Sequence, residues 1–472
     1  MTRIGLDFGT TNSSAALFDG ERVHLLNLDP RARDPTVVRS VLYLTREGAT
    51  RVGQQALDAY YDQNTGRPSR MVRRYVGEVQ MTFGEVGTMK GYPVRASSYF
   101  QEVYILVDEL TPGRLVHSLK SGLASGNSVT HVFDRKYDLV GLIAQYLGVL
   151  RRRAEERLGV PIERVVLGRP VSFAGARTTA ENDACEALLR QAAERAGFSD
   201  VVFELEAVAA ALDYELRIDR PQTVFVFDLG GGTLDVTVMQ VGGAGHRRVL
   251  AMGGIGLGGE SFDRRIIGRL LLEHFGRGST WGDPPMPVPS HYTDALVDWK
   301  TVPALAQPET LRFLHEAQMT GDRPARIRAL ESLLVNNYTV RMIEAVEGAK
   351  VALSKARFSV MRLGGEQIGI WQPITRSQYE SMIGDALQRI QTCVAETMAR
   401  AGLDATGIDA VVQTGGAAQT PCLESMLAST FGASKIVRTD AFRGIAAGLA
   451  VRAAQSDGRP AAPLPHDAEL SA

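Results

Sequence analysis

Two widely separated stretches carry the same arrangement of polar side chains. Gly5-Leu6-Asp7-Phe8-Gly9-Thr10-Thr11-Asn12 lies near the start, and Asp228-Leu229-Gly230-Gly231-Gly232-Thr233-Leu234-Asp235 near the middle. Each follows an apolar run and leads into another: Ser14-Ala15-Ala16-Leu17-Phe18 in the first case, Val236-Thr237-Val238-Met239 in the second. Glycines let backbone N–H groups turn toward a phosphate, and threonine hydroxyls add donors. An aspartate in such a loop repels phosphate. It makes sense if Asp7 and Asp228 hold Mg²⁺ through the metal's retained waters. One Asp-Gly turn is an ordinary hairpin. Two with the same strand-loop-strand order point to a duplicated fold that grips a nucleotide from both sides.

The elements that must position these loops follow from periodicity. Alternating residues to about Leu44 predict a β-meander, and 46–130 is less regular. Leu139 to Leu158 reads as a helix, with Leu139, Ile143, Tyr146, Leu147 and Leu150 on one face. A strand at 164–171, a helix from Thr178 to Ala196 closed by Gly197, a strand at 201–205 and an Ala-rich helix from Glu206 predict an α/β sheet. The halves join near Tyr214–Arg220. An irregular, proline-rich insertion spans 276–324, and Trp281, Tyr292, Trp299 and Phe313 predict that it packs. From Ala454 the chain turns polar and predicts a mobile tail.

Composition narrows the class. The 472 residues are 44% hydrophobic and 22% charged, with net charge −1, which suits a globular protein of several subdomains. That balance gives no field for nucleic acid or an acidic membrane, and Arg151-Arg152-Arg153 is interleaved with Glu155 and Glu156. No apolar run reaches the length of a membrane span, and the first residues lack a signal-peptide core. Cys185, Cys393 and Cys422 stand alone, as in a reducing cytosol. These features predict a cytoplasmic location, with neither nucleic acid nor membrane as partner.

Five segments, in order, carry a resemblance to the ATPase domain of the heat-shock-70 (DnaK-type) chaperone family. The two hairpins resemble its phosphate signatures. Glu206-Ala207-Val208-Ala209-Ala210-Ala211, Leu257-Gly258-Gly259-Glu260-Ser261-Phe262-Asp263 and Thr414-Gly415-Gly416-Ala417-Ala418-Gln419 resemble three more family segments. The resemblance covers residues 1 to about 453 and implies an α/β, actin-like ATPase fold with two lobes around a nucleotide cleft. Lobe I would be 1–218, with core 1–44 and 131–218 and an outer subdomain at about 45–130. Lobe II would be 219–453, with core 219–270 and about 360–453 and an outer subdomain at about 271–359; 454–472 would be tail. The end of the chain makes it look most like the short YegD-type members, which have no peptide-binding domain.

The resemblance also implies roles. Asp7 and Asp228 would orient hydrated Mg²⁺. Gly9, Thr10, Thr11, Asn12, Gly230, Gly231, Gly232 and Thr233 would cradle phosphate oxygens of ATP or ADP, with Thr233 also catalytic. Glu206 would lie near the attacking water, and Gly258, Gly259 and Glu260 would close over the phosphates. Glu347, Lys350 and Ser354, on one side of a helix, would contact adenosine, as would Gly415, Gly416 and Ala417. Val351 and Gln419 stand where the family has arginines beside adenine. A late family aspartate has no clean counterpart: Phe442 is nearest, with Asp440 two residues earlier. The basic group at the γ-phosphate is Lys120 or Arg73. Lysine is the better choice as a compact charge, and Arg70 and Arg74 mark Arg73 as a surface cation.

Positioning and charge neutralisation would then drive ATP hydrolysis, with no covalent intermediate. The expected function is a slow Mg-dependent ATPase that switches an unknown client or co-chaperone. The competing readings are a nucleotide-binding regulatory or scaffold protein with negligible turnover, an actin-fold small-molecule kinase, and a filament-forming relative. Gly254-Ile255-Gly256-Leu257-Gly258-Gly259 fits the dinucleotide pattern GxGxxG but comes too late in the chain for a first βαβ turn.

Overall fold

Both motif-bearing hairpins are central to sheets of the same order. In the first half, Arg3–Phe8 pairs antiparallel with Asn12–Phe18, placing Asp7 opposite Ser14, and Asn12–Phe18 pairs with Val23–Leu25. On its other side Arg3–Phe8 runs parallel to Arg164–Arg169, which runs parallel to Asp200–Leu205. In the second half, Gln222–Leu229 pairs antiparallel with Leu234–Val241, placing Asp228 opposite Asp235, and the next antiparallel strand is Arg248–Ile255. Its parallel neighbours are Ala410–Thr414 and then Ile436–Arg438. The shared order of three antiparallel and two parallel strands is the duplication that the two loops announce. The computed structural model describes residues 2–67, 70–83, 87–89, 92–94, 97–133, 135–242, 247–298, 301–439 and 443–455.

Local chemistry sets the helix ends. Asp138 caps Leu139–Leu158 by accepting from the Gly141 N–H, and Gly159 ends it in the left-handed region. Thr178 and Glu181 form a reciprocal capping box on Thr179–Arg195, so Thr178 is the cap rather than the first helical residue. Two helices, Glu206–Glu215 and Gly444–Gln455, lie between the sheets and are buried nearly all round. They cross so closely that a Cβ on Gly448 would sit 1.7 Å from the Ala209 carbonyl oxygen. Val166 and Ala209 from the first half share one core with Val226, Val412 and Leu449 from the second. The last helix also packs on Arg3–Phe8, so it holds the two halves together. It runs to Gln455, past the predicted start of the tail; the rest of that tail lies outside the described residues.

The outer parts differ from the sequence reading in three places. Val41–Thr45 leaves the first sheet and joins Thr50–Val52 and Gly113–His117 in a separate three-stranded sheet. Met71–Phe83 and Ser97–Asp108 form a long antiparallel ribbon within the stretch read as less regular. Tyr75, Phe100 and Tyr104 are exposed on it, so its sequence carries no clean inside–outside alternation. The region 276–324 is more regular than its prolines suggest. Pro308 and Pro324 sit in the first turns of helices Pro308–Thr320 and Pro324–Val335, where no N–H is needed. Trp281 meets Phe313 edge-on at 4.9 Å and Tyr292 stacks on Phe313 at 4.8 Å; Trp299 lies outside the described residues.

Candidate functional site

The two hairpin loops meet face to face across the halves. The backbone at Gly231 comes so close to Thr11 that a Cβ there would lie 2.3 Å from the Thr11 hydroxyl oxygen. The third glycine loop stacks behind: the Gly259 N–H donates to Gly230 O at 3.0 Å and the Glu260 N–H to Gly231 O at 2.9 Å. Between the loops lies a cavity of about 330 Å³, lined by Asp7, Gly9, Thr10, Thr11, Asn12, Lys120, Glu206, Asp228 and the 230–233 loop. Gly259, Glu260, Glu347, Lys350, Ser354, Gly415, Gly416 and Ala417 also line it. Gly258 does not. It backs the Gly231 peptide, where a Cβ would sit 2.5 Å from the Gly231 carbonyl.

Lys120 enters the cleft from a short turn, Lys120–Ser125, and ion-pairs with Glu206 deep in the site. Arg73 is elsewhere: it is exposed on the outer ribbon, its guanidinium 5.3 Å from the Tyr104 ring centre. Asp7, Asp228 and Asp235 are buried around the Lys120–Glu206 pair. Burial, reinforced by Glu206 and opposed by Lys120, pushes Asp7 up to about 7. Burial and the Glu206 charge lift Asp235 to about 7, against the Val171 N–H that donates to it at 2.7 Å. Asp228 is raised well above the carboxylate range by burial, then by Glu206, Asp235 and Asp7. Burial alone would lower Lys120, but Glu206 and Asp7 outweigh it and hold the ammonium above its ordinary value.

Four buried acids against one lysine favour a further cation. Among the described residues no group of three or more His, Cys, Asp or Glu side chains is placed to ligate a metal directly. Asp7 and Asp228 facing one cavity suit an ion that keeps most of its waters, as Mg²⁺ does. Asp235 has a buried carboxylate oxygen with no partner. Its position at the end of the second motif, paired across the hairpin with Asp228, was the sequence signal for it.

The helix Thr339–Lys355 supplies the wall away from the acids. Arg39 clamps Glu347 through two hydrogen bonds of 3.0 and 2.8 Å, tying the outer edge of one half to the other. Burial raises Glu347, but the Arg39 charge, its hydrogen bonds and the Lys350 charge together outweigh this and hold it below its ordinary value. Lys350 bonds Asp263 at 2.7 Å and Gly259 O at 3.2 Å. Ser118, at φ 52° just before Lys120, donates to Glu260 at 2.7 Å and bridges the halves over the cavity. Arg39 belongs to no motif, so nothing local in the sequence marks it, and the Ser118-Leu119-Lys120 context gives no sign that Ser118 bridges to Glu260. Val351 and Gln419 both reach the cavity and are exposed. Asp440 and Phe442 lie outside the described residues. The GxGxxG segment leaves an antiparallel third strand, not the first strand of a βαβ unit, and so lacks the setting of a dinucleotide site.

Two like-ordered sheets, each presenting a glycine-threonine hairpin to a shared cleft, constitute an actin-like ATPase fold. A model of the Hsp70 protein family matches residues 119–280 and 332–462, and the chain belongs to that family. It is 24% identical to a chaperone protein dnaK of Cyanidioschyzon merolae over 459 residues, covering 95% of this chain and 61% of the relative. It is 26% identical to a chaperone protein DnaK of Thermosipho melanesiensis over 352 residues, 73% of this chain and 49% of the relative. The chain thus spans about half to three-fifths of the length of these curated relatives. No described helix is long and apolar enough to cross a membrane.

Proposed function

We propose that the chain binds ATP and ADP with Mg²⁺ in this cleft and hydrolyses ATP slowly, acting as a nucleotide-dependent switch on a protein client or co-chaperone. The observation that carries the reading is the meeting of Lys120, Glu206, Asp7 and Asp228 between two glycine-threonine loops. Thr10, Thr11, Asn12 and the 230–233 loop hold phosphate oxygens through N–H and hydroxyl donors. Thr233 also supports the terminal phosphate. Lys120 neutralises charge that builds up there, and Glu206 accepts a hydrogen bond from the attacking water and orients it. Asp7 and Asp228 would hold a hydrated Mg²⁺, which would supply charge neutralisation to the phosphates. Gly259, Glu260, Gly415, Gly416 and Ala417 close around the nucleotide, while Glu347, Lys350 and Ser354 face its ribose and base.

The test is nucleotide titration by calorimetry, followed by phosphate release. Saturable Mg²⁺-ATP binding with slow release that depends on Lys120 is the expected result. A wild type that binds neither ATP nor ADP overturns the reading. A second reading, a nucleotide-binding scaffold with negligible turnover, is favoured by the Lys120–Glu206 ion pair, which engages both groups with each other. Tight binding without phosphate release selects it. Co-purification under ATP and under ADP tests for the client.

A further inference from the structure

The family model leaves residues 281–331 between its two matched segments, yet this stretch reaches the cleft. Val297 lines the cavity, and Asp298 beside it lies 3.5 Å from the Arg264 guanidinium. Arg264 and Ile267 also line the cavity, from the helix that begins at the glycine loop and the turn that follows it. Arg264 is four residues beyond Glu260, roughly 6 Å further along the helix at 1.5 Å per residue. That step places it one turn beyond the glycine loop, and it shares the cavity lining with Val351 and Gln419. Of the ion-paired cations lining the cavity it is the most loosely held. Arg39, Lys120 and Lys350 each have a closer carboxylate and a less exposed side chain; Arg264 is 43% exposed.

We propose that Arg264, positioned by Asp298 and walled by Ile267, Val297 and Val351, is the base-reading residue of the cleft, and that it makes the cleft accept guanine as well as adenine nucleotides. This rests on the nucleotide reading above. The apolar wall offers a surface for a flat ring, and the guanidinium presents several donors in one plane. Guanine offers two adjacent acceptors, O6 and N7, to such a fork, whereas adenine offers N7 beside a donor amine. Arg264, Ile267 and Val351 lie in the segments that the family model matches, whereas Val297 and Asp298 come from the stretch between them.

The experiment is calorimetric binding of ADP, GDP and inorganic pyrophosphate to wild type, Arg264→Ala and Arg264→Lys, each checked for folding by circular dichroism. The wild type is expected to bind GDP within about threefold of ADP. Arg264→Ala is expected to lose about tenfold or more for GDP, less for ADP, and nothing for pyrophosphate, which has no base. Arg264→Lys keeps the charge without the fork and is expected to lose most of the GDP affinity; it carries the test if the alanine variant does not fold. Equal GDP affinity in wild type and both variants overturns the proposal, as does an equal loss for all three ligands, which marks a structural role. A wild type that binds ADP and pyrophosphate but not GDP overturns this proposal alone. A wild type that binds none of the three overturns the nucleotide reading as well.

Discussion

At one end of the cleft Asp7, Lys120, Glu206 and Asp228 are each no more than 9% exposed, while at the other end Val351 is 57% exposed. The acidic end is assembled from contiguous motifs and one distant lysine, packed so tightly that the charges are stripped of water. The open end is made of side chains from Arg264 near the end of the helix after the glycine loop, from Ile267 just beyond it, from Val297 and from the helix Thr339–Lys355. Charges act strongly where water is excluded and weakly where it is not. The contrast teaches that substitutions at the acidic end should change chemistry, and those at the open end should mostly change affinity and choice of base.

The largest effect is expected from Lys120→Ala. Phosphate release should fall by about 10²–10³-fold, the usual loss when a preorganised charge-stabilising group is removed, while ATP binding stays measurable. Normal turnover in Lys120→Ala together with loss in Arg73→Ala would reverse the assignment of the basic group. Asp7→Asn and Asp228→Asn come next, each weakening Mg²⁺-dependent nucleotide binding or turnover by about 10–100-fold, as loss of an outer-shell metal partner does. Binding titrated against Mg²⁺ checks this, and wild-type behaviour in both variants would remove the metal role from the acidic end.

At the open end, Val351→Arg should tighten ATP binding. A guanidinium over a ring contributes about 0.5–2 kcal/mol, hence roughly two- to thirtyfold in affinity. Calorimetry showing no gain would mean that Val351 does not face the base. The smallest effect is a pH dependence at the junction of the two ends. Burial, opposed by Lys350, raises Asp263 to about 6 from an ordinary 3.8. The folded state therefore holds this proton more tightly, and the stability it contributes is present below about pH 4 and lost as pH rises through 6. Urea titrations from pH 4 to 7 should show a shallower fall for Asp263→Asn than for wild type. An unchanged slope would place the titration elsewhere.

Much of the fold was legible because its signals are local. Asp138 and Gly159 bracket the long helix, the Thr178–Glu181 box starts the next, and the two hairpins have the same residue types at the same strand ends. The outer parts were harder to read. A ribbon with exposed aromatic residues shows no alternation, and prolines that open helices look the same in sequence as prolines that break them. Gly258 belongs to a matched motif yet packs on the Gly231 peptide and does not line the cavity, because a motif does not record which side of a loop faces it.

The sequence by itself determined the duplicated hairpins and the acids that follow their strands, since those groups lie within a few residues of one another and their chemistry is set by the local backbone. Tertiary structure alone decided which cation enters the acidic end. Lys120 and Glu206 meet across 86 residues of chain, and Arg39 and Glu347 across 308. It also decided that Val297, from a segment with no motif, reaches the cleft and that Asp298 beside it lies near Arg264. Such contacts depend on how two packed lobes bring their edges together, and no local periodicity or spacing encodes that meeting.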